Sequence, residues 1–164
     1  MADSPIHVYL NDHLAGATAG KDLAAQAAER HDGELGDFFT TLAGEISGDY
    51  NTLATLIDTM GASDSGAKSA LAKAGSWISE EKFSGETVGD PQFGTFLTLE
   101  TLSIGVEGKL CMWKALKVVQ DEHSELKSLN IDTLIESAQS QRDRLEGKRM
   151  EAAGSALSSG KVNA

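Results

Sequence analysis

The sequence contains little of what several functional classes of protein require. A single cysteine, Cys111, excludes an internal disulfide. No stretch approaches the roughly 20 apolar residues of a membrane-spanning helix, and the first residues lack the basic and apolar regions of a signal peptide. Only 14 basic residues accompany 25 acidic ones, and a net charge of -11 disfavours surfaces that neutralise phosphates. These absences predict a cytoplasmic protein that neither spans a membrane nor binds nucleic acid.

Prolines are also scarce, whereas residues that favour helices are abundant. The two prolines, Pro5 and Pro91, leave long stretches in which a helix is uninterrupted. Apolar residues recur in these stretches with a period near 3.6, which is typical of amphipathic helices. A chain of 164 residues with 40% hydrophobic residues is sufficient for one core, so we expect a single domain over 1–164. The predicted helices are 5–31, 34–60, 65–80, 91–119 and 130–157, followed by a disordered tail at 158–164.

Capping residues mark the helix ends. Ser4-Pro5 and Asp90-Pro91 each combine an N-cap residue with a proline at the first helical position. Asn130 is placed to cap the last helix, and Gly61 is placed to end the second. The short turn after the first helix and the modest loop before the last predict two antiparallel hairpins. The long connection between the second and third long helices, which contains 65–80, then predicts a crossover that spans a four-helix bundle.

This layout resembles the ferritin-like superfamily over residues 5–157. The segments YLNDHLAGATAG in the first helix and LSIGVEGK in the third are similar to those of small uncharacterised bacterial proteins grouped with that fold. The resemblance implies an all-α ferritin-like bundle and a bacterial cytosol, and it implies no particular activity. Di-metal members of the superfamily carry Glu-x-x-His motifs, because their two cations need carboxylate bridges and imidazole ligands. None of the four histidines here follows a glutamate at that spacing.

Polar residues nevertheless interrupt the apolar stripes near the middle of each long helix. If these residues face inward, they form a polar layer, in which charges must be paired, hydrogen-bonded or bound to metal. The candidate layer contains His13, Glu45, Asp49, Glu100, Glu107, Arg142 and Asp143. A metal ion in it, iron or manganese, would take its ligands from His13, Glu45, Asp49, Glu100 and Glu107. The alternative for the carboxylates is exposure to solvent or a salt bridge to Arg142 or Lys109, and for His13 an ordinary interior hydrogen bond.

Three other features receive structural interpretations. Cys111 lies among apolar helical residues and is expected to be a small buried side chain. Glycine within a helix costs about 1 kcal/mol relative to alanine, so we expect the helical glycines to permit tight backbone contact inside the bundle. These glycines are Gly16, Gly20, Gly44, Gly48, Gly105 and Gly108. The aromatic residues follow helical spacing and are expected in the core: Phe38, Phe39, Trp77, Phe93, Phe96 and Trp113.

Three functional hypotheses follow from these patterns. The first is a non-enzymatic structural or interaction protein without a cofactor, which self-associates through a helix face or binds a protein partner. The second is a protein that binds iron or manganese through an atypical carboxylate and histidine site. The third is a carrier that holds an apolar small molecule between its helices. Metal content distinguishes the first two hypotheses, and a co-purified organic ligand would indicate the third.

Overall fold

The computed structural model describes residues 4–62, 83 and 89–158, and all regular structure in these ranges is helical. The predicted all-α class is therefore confirmed. These ranges contain four long helices and one helix of a single turn. Their bounds are α1 Pro5–Arg30, α2 Gly33–Thr59, α3 Pro91–Val118, α4 Ser124–Lys127 and α5 Ile131–Leu157, with a 3₁₀ turn at Gln120–Glu122. The predicted helix 65–80 and the tail residues 159–164 lie outside the described residues.

Caps account for three ends of the long helices, whereas the Ser4 side chain makes no cap hydrogen bond at the start of α1. The Asp90 carboxylate accepts a hydrogen bond from the backbone N–H of Gln92 at 2.9 Å, one residue after Pro91. The Asn130 side chain accepts one from Thr133 at 3.2 Å, as the sequence predicts. Gly61 follows α2 with a φ of 66°, a left-handed conformation that glycine adopts without a steric penalty. Each cap satisfies backbone groups that the helix itself leaves unpaired.

Cross-helix contacts give the direction of each long helix. α1 and α2 form an antiparallel hairpin around a two-residue turn and pack closely together. α3 and α5 are also antiparallel and closely packed, since Glu100 bonds to Arg149 near one end and Lys117 to Asp132 near the other. α2 is antiparallel to α5 as well, since the first turn of α2 meets the C-terminal part of α5. α2 and α3 are therefore parallel, and the long helices run up, down, down and up along the chain.

Two apolar clusters fill the interior, one towards each end of the bundle. The first, here called the Phe39 cluster, contains fully buried residues of α1, α2, α3 and α5, together with Phe83. The second, the Trp113 cluster, lies around the other half of the same helices and includes Leu126 of α4. Phe39, Phe96 and Trp113 are buried, as predicted, whereas Phe38 and Phe93 are only half-buried, and Trp77 lies outside the described residues. Burial of these side chains supplies most of the stabilisation of such a bundle.

Some residues depart from the predicted pattern. The segment QDEHSELKS was expected to be only a loop, yet it contains the 3₁₀ turn and α4, and Leu126 within it is fully buried. Met150 and Leu157 belong to the predicted apolar stripe of the last helix, but they are 56% and 57% exposed. α5 alternates apolar and charged residues so closely that periodicity defines its inner face poorly. No helix in the described ranges has the length and apolar character needed to cross a bilayer.

Among the residues that the structure describes, the expectation that helical glycines permit tight contacts inside the bundle is wrong for all six named positions. A Cβ added at Gly16, Gly20, Gly44, Gly48, Gly105 or Gly108 would meet nothing within 4 Å. Gly36 is different, because a Cβ there would overlap the carbonyl oxygen of His31, the first residue of the α1–α2 turn. The turn between the first two helices thus requires a glycine at 36, whereas the six glycines named before it have no steric reason within the described part of the chain.

Candidate functional site: a closed polar layer in the bundle

A layer of polar side chains separates the two apolar clusters. Asp49 on α2 lies between Ile46 of the Phe39 cluster and Leu53 of the Trp113 cluster. Lys109 on α3 and Gln141 on α5 occupy the corresponding boundary on their own helices. The side chains of Asp49 and Lys109 are only 14% and 15% exposed, and Gln141 is 1% exposed. The middle of the bundle is therefore polar and largely shielded from water.

These three side chains form a closed triangle of hydrogen bonds. The Lys109 ammonium donates to Asp49 Oδ2 and to Gln141 Oε1. The Gln141 amide donates through Nε2 to the same Asp49 oxygen at 3.0 Å. Each of the three side chains contacts both of the others, so the triangle links α2, α3 and α5 at one level of the bundle. Charge-assisted hydrogen bonds of this kind are stronger than neutral ones, and a fully satisfied network avoids the cost of an unpaired buried charge.

The electrostatic state of the triangle reflects a balance between burial and attraction. Burial lowers the pKa of Lys109, because a charged ammonium is less well solvated there than in water. The Asp49 carboxylate opposes this effect by charge and hydrogen bond, and Glu45 opposes it by charge alone. The Asp49 and Gln141 oxygens that accept from Lys109 thus oppose the cost of burying its charge.

The three predicted glutamates lie outside the triangle and pair with arginines of α5. Glu45 accepts a hydrogen bond from Arg144 at 2.6 Å, which bridges α2 and α5. On α3, Glu100 accepts a hydrogen bond from Arg149 at 3.2 Å, and Glu107 forms an ion pair with Arg142. These side chains are between 24% and 47% exposed, so each pair contributes much less than a buried one. Of the two predicted salt-bridge partners, Lys109 binds Asp49 and Arg142 binds Glu107.

Two predicted members of the layer lie apart from the triangle. Asp143 is 65% exposed on α5 and accepts a hydrogen bond from Gln139 of the same helix. His13 is half-buried on α1, where its ring meets the Tyr9 ring edge-on with 4.6 Å between centroids. Burial lowers the pKa of His13, and the neighbouring Asp12 carboxylate partly offsets the effect. An aromatic and helical environment, rather than a set of carboxylates, therefore surrounds this imidazole.

The predicted metal ligands are thus not gathered at one point, since His13 and Glu100 lie apart from Asp49, and the carboxylates are engaged by basic side chains. In the described ranges, no three histidine, cysteine, aspartate or glutamate side chains come together as a metal site would require. Four of the five predicted ligands, Glu45, Asp49, Glu100 and Glu107, each contact a lysine or arginine. The chemistry of this donor set suits an internal cation rather than a second positive ion.

Sequence reasoning missed two members of the layer, Gln141 and Arg144. Gln141 lies three residues after the buried Ala138 and four before the buried Leu145, so it occupies an inward position of α5. That spacing is the signal that could have identified it. The prediction instead named its neighbours Arg142 and Asp143, both of which are exposed.

Cys111 and two surface clefts lie outside the triangle. Cys111 is exposed, which contradicts the predicted buried position, and its Sγ lies 3.9 Å from Glu107 Oε1. One cleft of about 340 Å³ lies between the C-terminal half of α2 and α4. Another of about 340 Å³ lies where the N-termini of α2 and α3 meet the end of α5, beside the Lys148–Glu34 ion pair at 2.7 Å.

Comparisons with protein-family models, with curated proteins and with solved structures find no match to this sequence or fold.

Proposed function

We propose that this chain is a non-enzymatic structural or interaction module, built as a ferritin-like four-helix bundle with an interior closed by its own side chains. The observation that supports the proposal most strongly is the Asp49–Lys109–Gln141 triangle. The Lys109 ammonium lies in mid-bundle, where a carboxylate-bound metal would supply positive charge, and it binds Asp49 directly. A lysine on a helix thereby provides the compensating cation without any bound ion.

The helix directions support the ferritin-like part of the proposal. α1–α2 and α3–α5 are antiparallel hairpins, and α2 and α3 are parallel. Two long helices that are consecutive in the chain and parallel require a connection that returns along the length of the bundle. For helices of this length the connection must span about 40 Å. The 26 residues between Ala62 and Gly89 are sufficient for that distance.

A closed polar layer suits a structural role because it defines the alignment of the helices. Apolar side chains tolerate sliding of one helix past another, whereas the three hydrogen bonds of the triangle are satisfied in one alignment only. Displacing α3 by one turn would leave Asp49 and Lys109 buried and unpaired, which is strongly unfavourable. We therefore propose that the layer selects a single register for a bundle whose surface then serves for contacts.

The competing hypothesis, iron or manganese binding, requires the same carboxylates to exchange their basic partners for a metal. Elemental analysis of protein purified without chelator or metal-affinity tag tests this directly, before and after addition of ferrous iron or manganese. The variants are Asp49→Asn in the triangle and, as a matched control, Asp143→Asn on the exposed side of α5.

We expect well under one metal ion per chain in all three proteins, and no increase in thermal stability on metal addition. Stoichiometric iron or manganese that is lost in Asp49→Asn and kept in Asp143→Asn would overturn the proposal and assign the layer as a metal site. Metal that is retained equally in both variants would indicate a site elsewhere and would also contradict a cofactor-free module.

A further inference from the structure

The outward side of α3 presents an uncharged stripe that is not covered by the rest of the described chain. Ile104 and Val118 are 69% and 83% exposed, and they mark the ends of this stripe. Residues spaced by four and three along a helix share one face, so the intervening members are readily identified. We call the stripe the α3 outer face; it consists of Ile104, Gly108, Cys111, Ala115 and Val118.

Apolar groups exposed in a row on an otherwise acidic protein are a feature of contact surfaces. A Cβ added at Gly108, in the middle of the stripe, would meet nothing within 4 Å, so no contact inside the described chain explains the glycine. Cys111 and Ala115 are also small and exposed. Small residues between two larger apolar ones would let another helix approach the stripe closely.

The α3 outer face is complementary to itself when two copies meet in antiparallel orientation. With Cys111 opposite Cys111 of a second copy, Ile104 lies opposite Val118 of that copy, seven residues away on either side. The charged residues at the edge of the face are Glu107 and Lys114, four residues before and three after the centre. Because antiparallel helices place the same edges together, Glu107 of one copy then lies next to Lys114 of the other. Both apolar and charged positions therefore match under one two-fold axis.

We propose that this face binds a second copy of the chain through an antiparallel α3–α3 contact centred on Cys111. The inference rests on the proposed function as an interaction module and names the partner and the surface. The stretch from Ile104 to Val118 is only about 21 Å long. It buries a few hundred Å² on each copy, compared with about 800 Å² per partner in a stable complex. The dimer is therefore weak, reversible and concentration-dependent.

The geometry also makes Cys111 a reporter of the contact. Packed helices lie about 8–10 Å apart, and Cα atoms lie about 2.3 Å from each axis. The two facing Cys111 Cα atoms would then be about 3.4–5.4 Å apart, which overlaps the range of about 4.4–6.8 Å seen in disulfides. Diamide should therefore join the two thiols: an S–S bond forms, two S–H bonds break, and both protons and electrons reduce the diazene to a hydrazine.

The experiment measures self-association of the full chain by sedimentation velocity, from about 10 µM to about 500 µM, a range that suits a small interface. Reducing agent and about 0.15 M salt are present, the salt to screen repulsion between two chains of charge -11. Disulfide formation with diamide is followed separately. The test variant is Val118→Asp at the face, and the matched control is Val8→Asp at an exposed valine of α1. Circular dichroism checks that both variants fold.

We expect the wild type and Val8→Asp to dimerise with similar midpoints, and Val118→Asp to need at least about tenfold higher concentration. Diamide should cross-link the first two at least about tenfold faster than the third, and Lys114→Glu should weaken dimerisation in the same direction. Absence of a wild-type dimer at the highest concentration, or dimerisation unaffected by Val118→Asp, would overturn the inference. Neither result bears on the proposed function, which the metal analysis tests independently.

Discussion

Replacing Lys109 by methionine tests how much the buried triangle contributes to the free energy of unfolding. Methionine keeps an unbranched apolar side chain of similar length, so the change removes the ammonium while leaving little empty space. Asp49 would lose its ion-pair partner and retain the hydrogen bond from Gln141 Nε2 at 3.0 Å. Gln141 Oε1 would lose its donor. The variant therefore leaves an aspartate that is only 14% exposed without a compensating charge.

Removing one partner of a buried ion pair costs about 3–5 kcal/mol, and the remaining amide hydrogen bond places Lys109→Met near the lower limit, about 3 kcal/mol. A domain has about 5–15 kcal/mol of stability in total, so the variant should still fold at about 25 °C. Urea denaturation followed by circular dichroism measures the free energy of unfolding. The control is Lys117→Met, which breaks the Lys117–Asp132 pair between α3 and α5, where the side chains are 42% and 66% exposed.

Lys117→Met should cost at most about 1 kcal/mol, because solvent screens an exposed pair. Replacing all three members of the triangle by apolar residues, as Asp49→Leu, Lys109→Met and Gln141→Leu together, should cost less than Lys109→Met alone. In that variant no charge of the triangle remains unpaired. If Lys109→Met and Lys117→Met destabilise the protein equally, burial of the triangle does not increase its contribution to the free energy of unfolding, which contradicts the prediction.

Two further predictions concern single positions. Gly48→Ala should stabilise the protein by about 0.5–1 kcal/mol, because the helical site is open. Gly36→Ala should destabilise it, because a Cβ there overlaps the His31 carbonyl. Urea denaturation midpoints of the two variants that move in the same direction would contradict this contrast. Burial lowers the pKa of His13 below its ordinary 6.5, so the unfolded chain takes up the proton first and stability declines as the pH falls below about 6.5. His13→Gln should remove that part of the decline, and equal losses of stability between about pH 7 and about pH 5 in both proteins would refute it.

The helices themselves were largely predictable, for identifiable physical reasons. Pro5 and Pro91 occur where helices can begin, and Asn130 and Gly61 supply the caps that the structure shows. Such signals are local, so they operate without knowledge of the partners of a helix. The predicted ranges 5–31 and 34–60 accordingly agree with α1 and α2 to within one residue at every end. The predicted topology depended on connection lengths, and the cross-helix contacts now give the directions.

The rotation of each helix about its own axis was harder to predict, and the candidate site depended on it. α3 carries apolar or small residues on more than one side, so Cys111, which was predicted to be buried, is exposed although its neighbours Leu110 and Met112 are buried. α5 has the opposite problem, because few apolar residues define its inner face. The prediction for α5 therefore named two exposed residues and missed Gln141. Which side chains pair across helices, such as Asp49 with Lys109, depends on this rotation. Such pairs cannot be obtained from sequence spacing alone.

The hairpin arrangement also has a consequence for the order of folding. α1 pairs with α2, and α3 with α5, across short chain separations, whereas the polar contacts between α2 and α5 join residues about 90 or more positions apart. Local contacts are gained with a small loss of loop entropy, so each hairpin can collapse early as its own unit. Docking of the two hairpins, which brings Asp49 to Lys109 and Gln141, then comes late. Backbone amide hydrogens of α2 and α5 near their mutual contacts should accordingly exchange with solvent through partial opening. Their exchange should be faster than that of amide hydrogens in the centre of either hairpin.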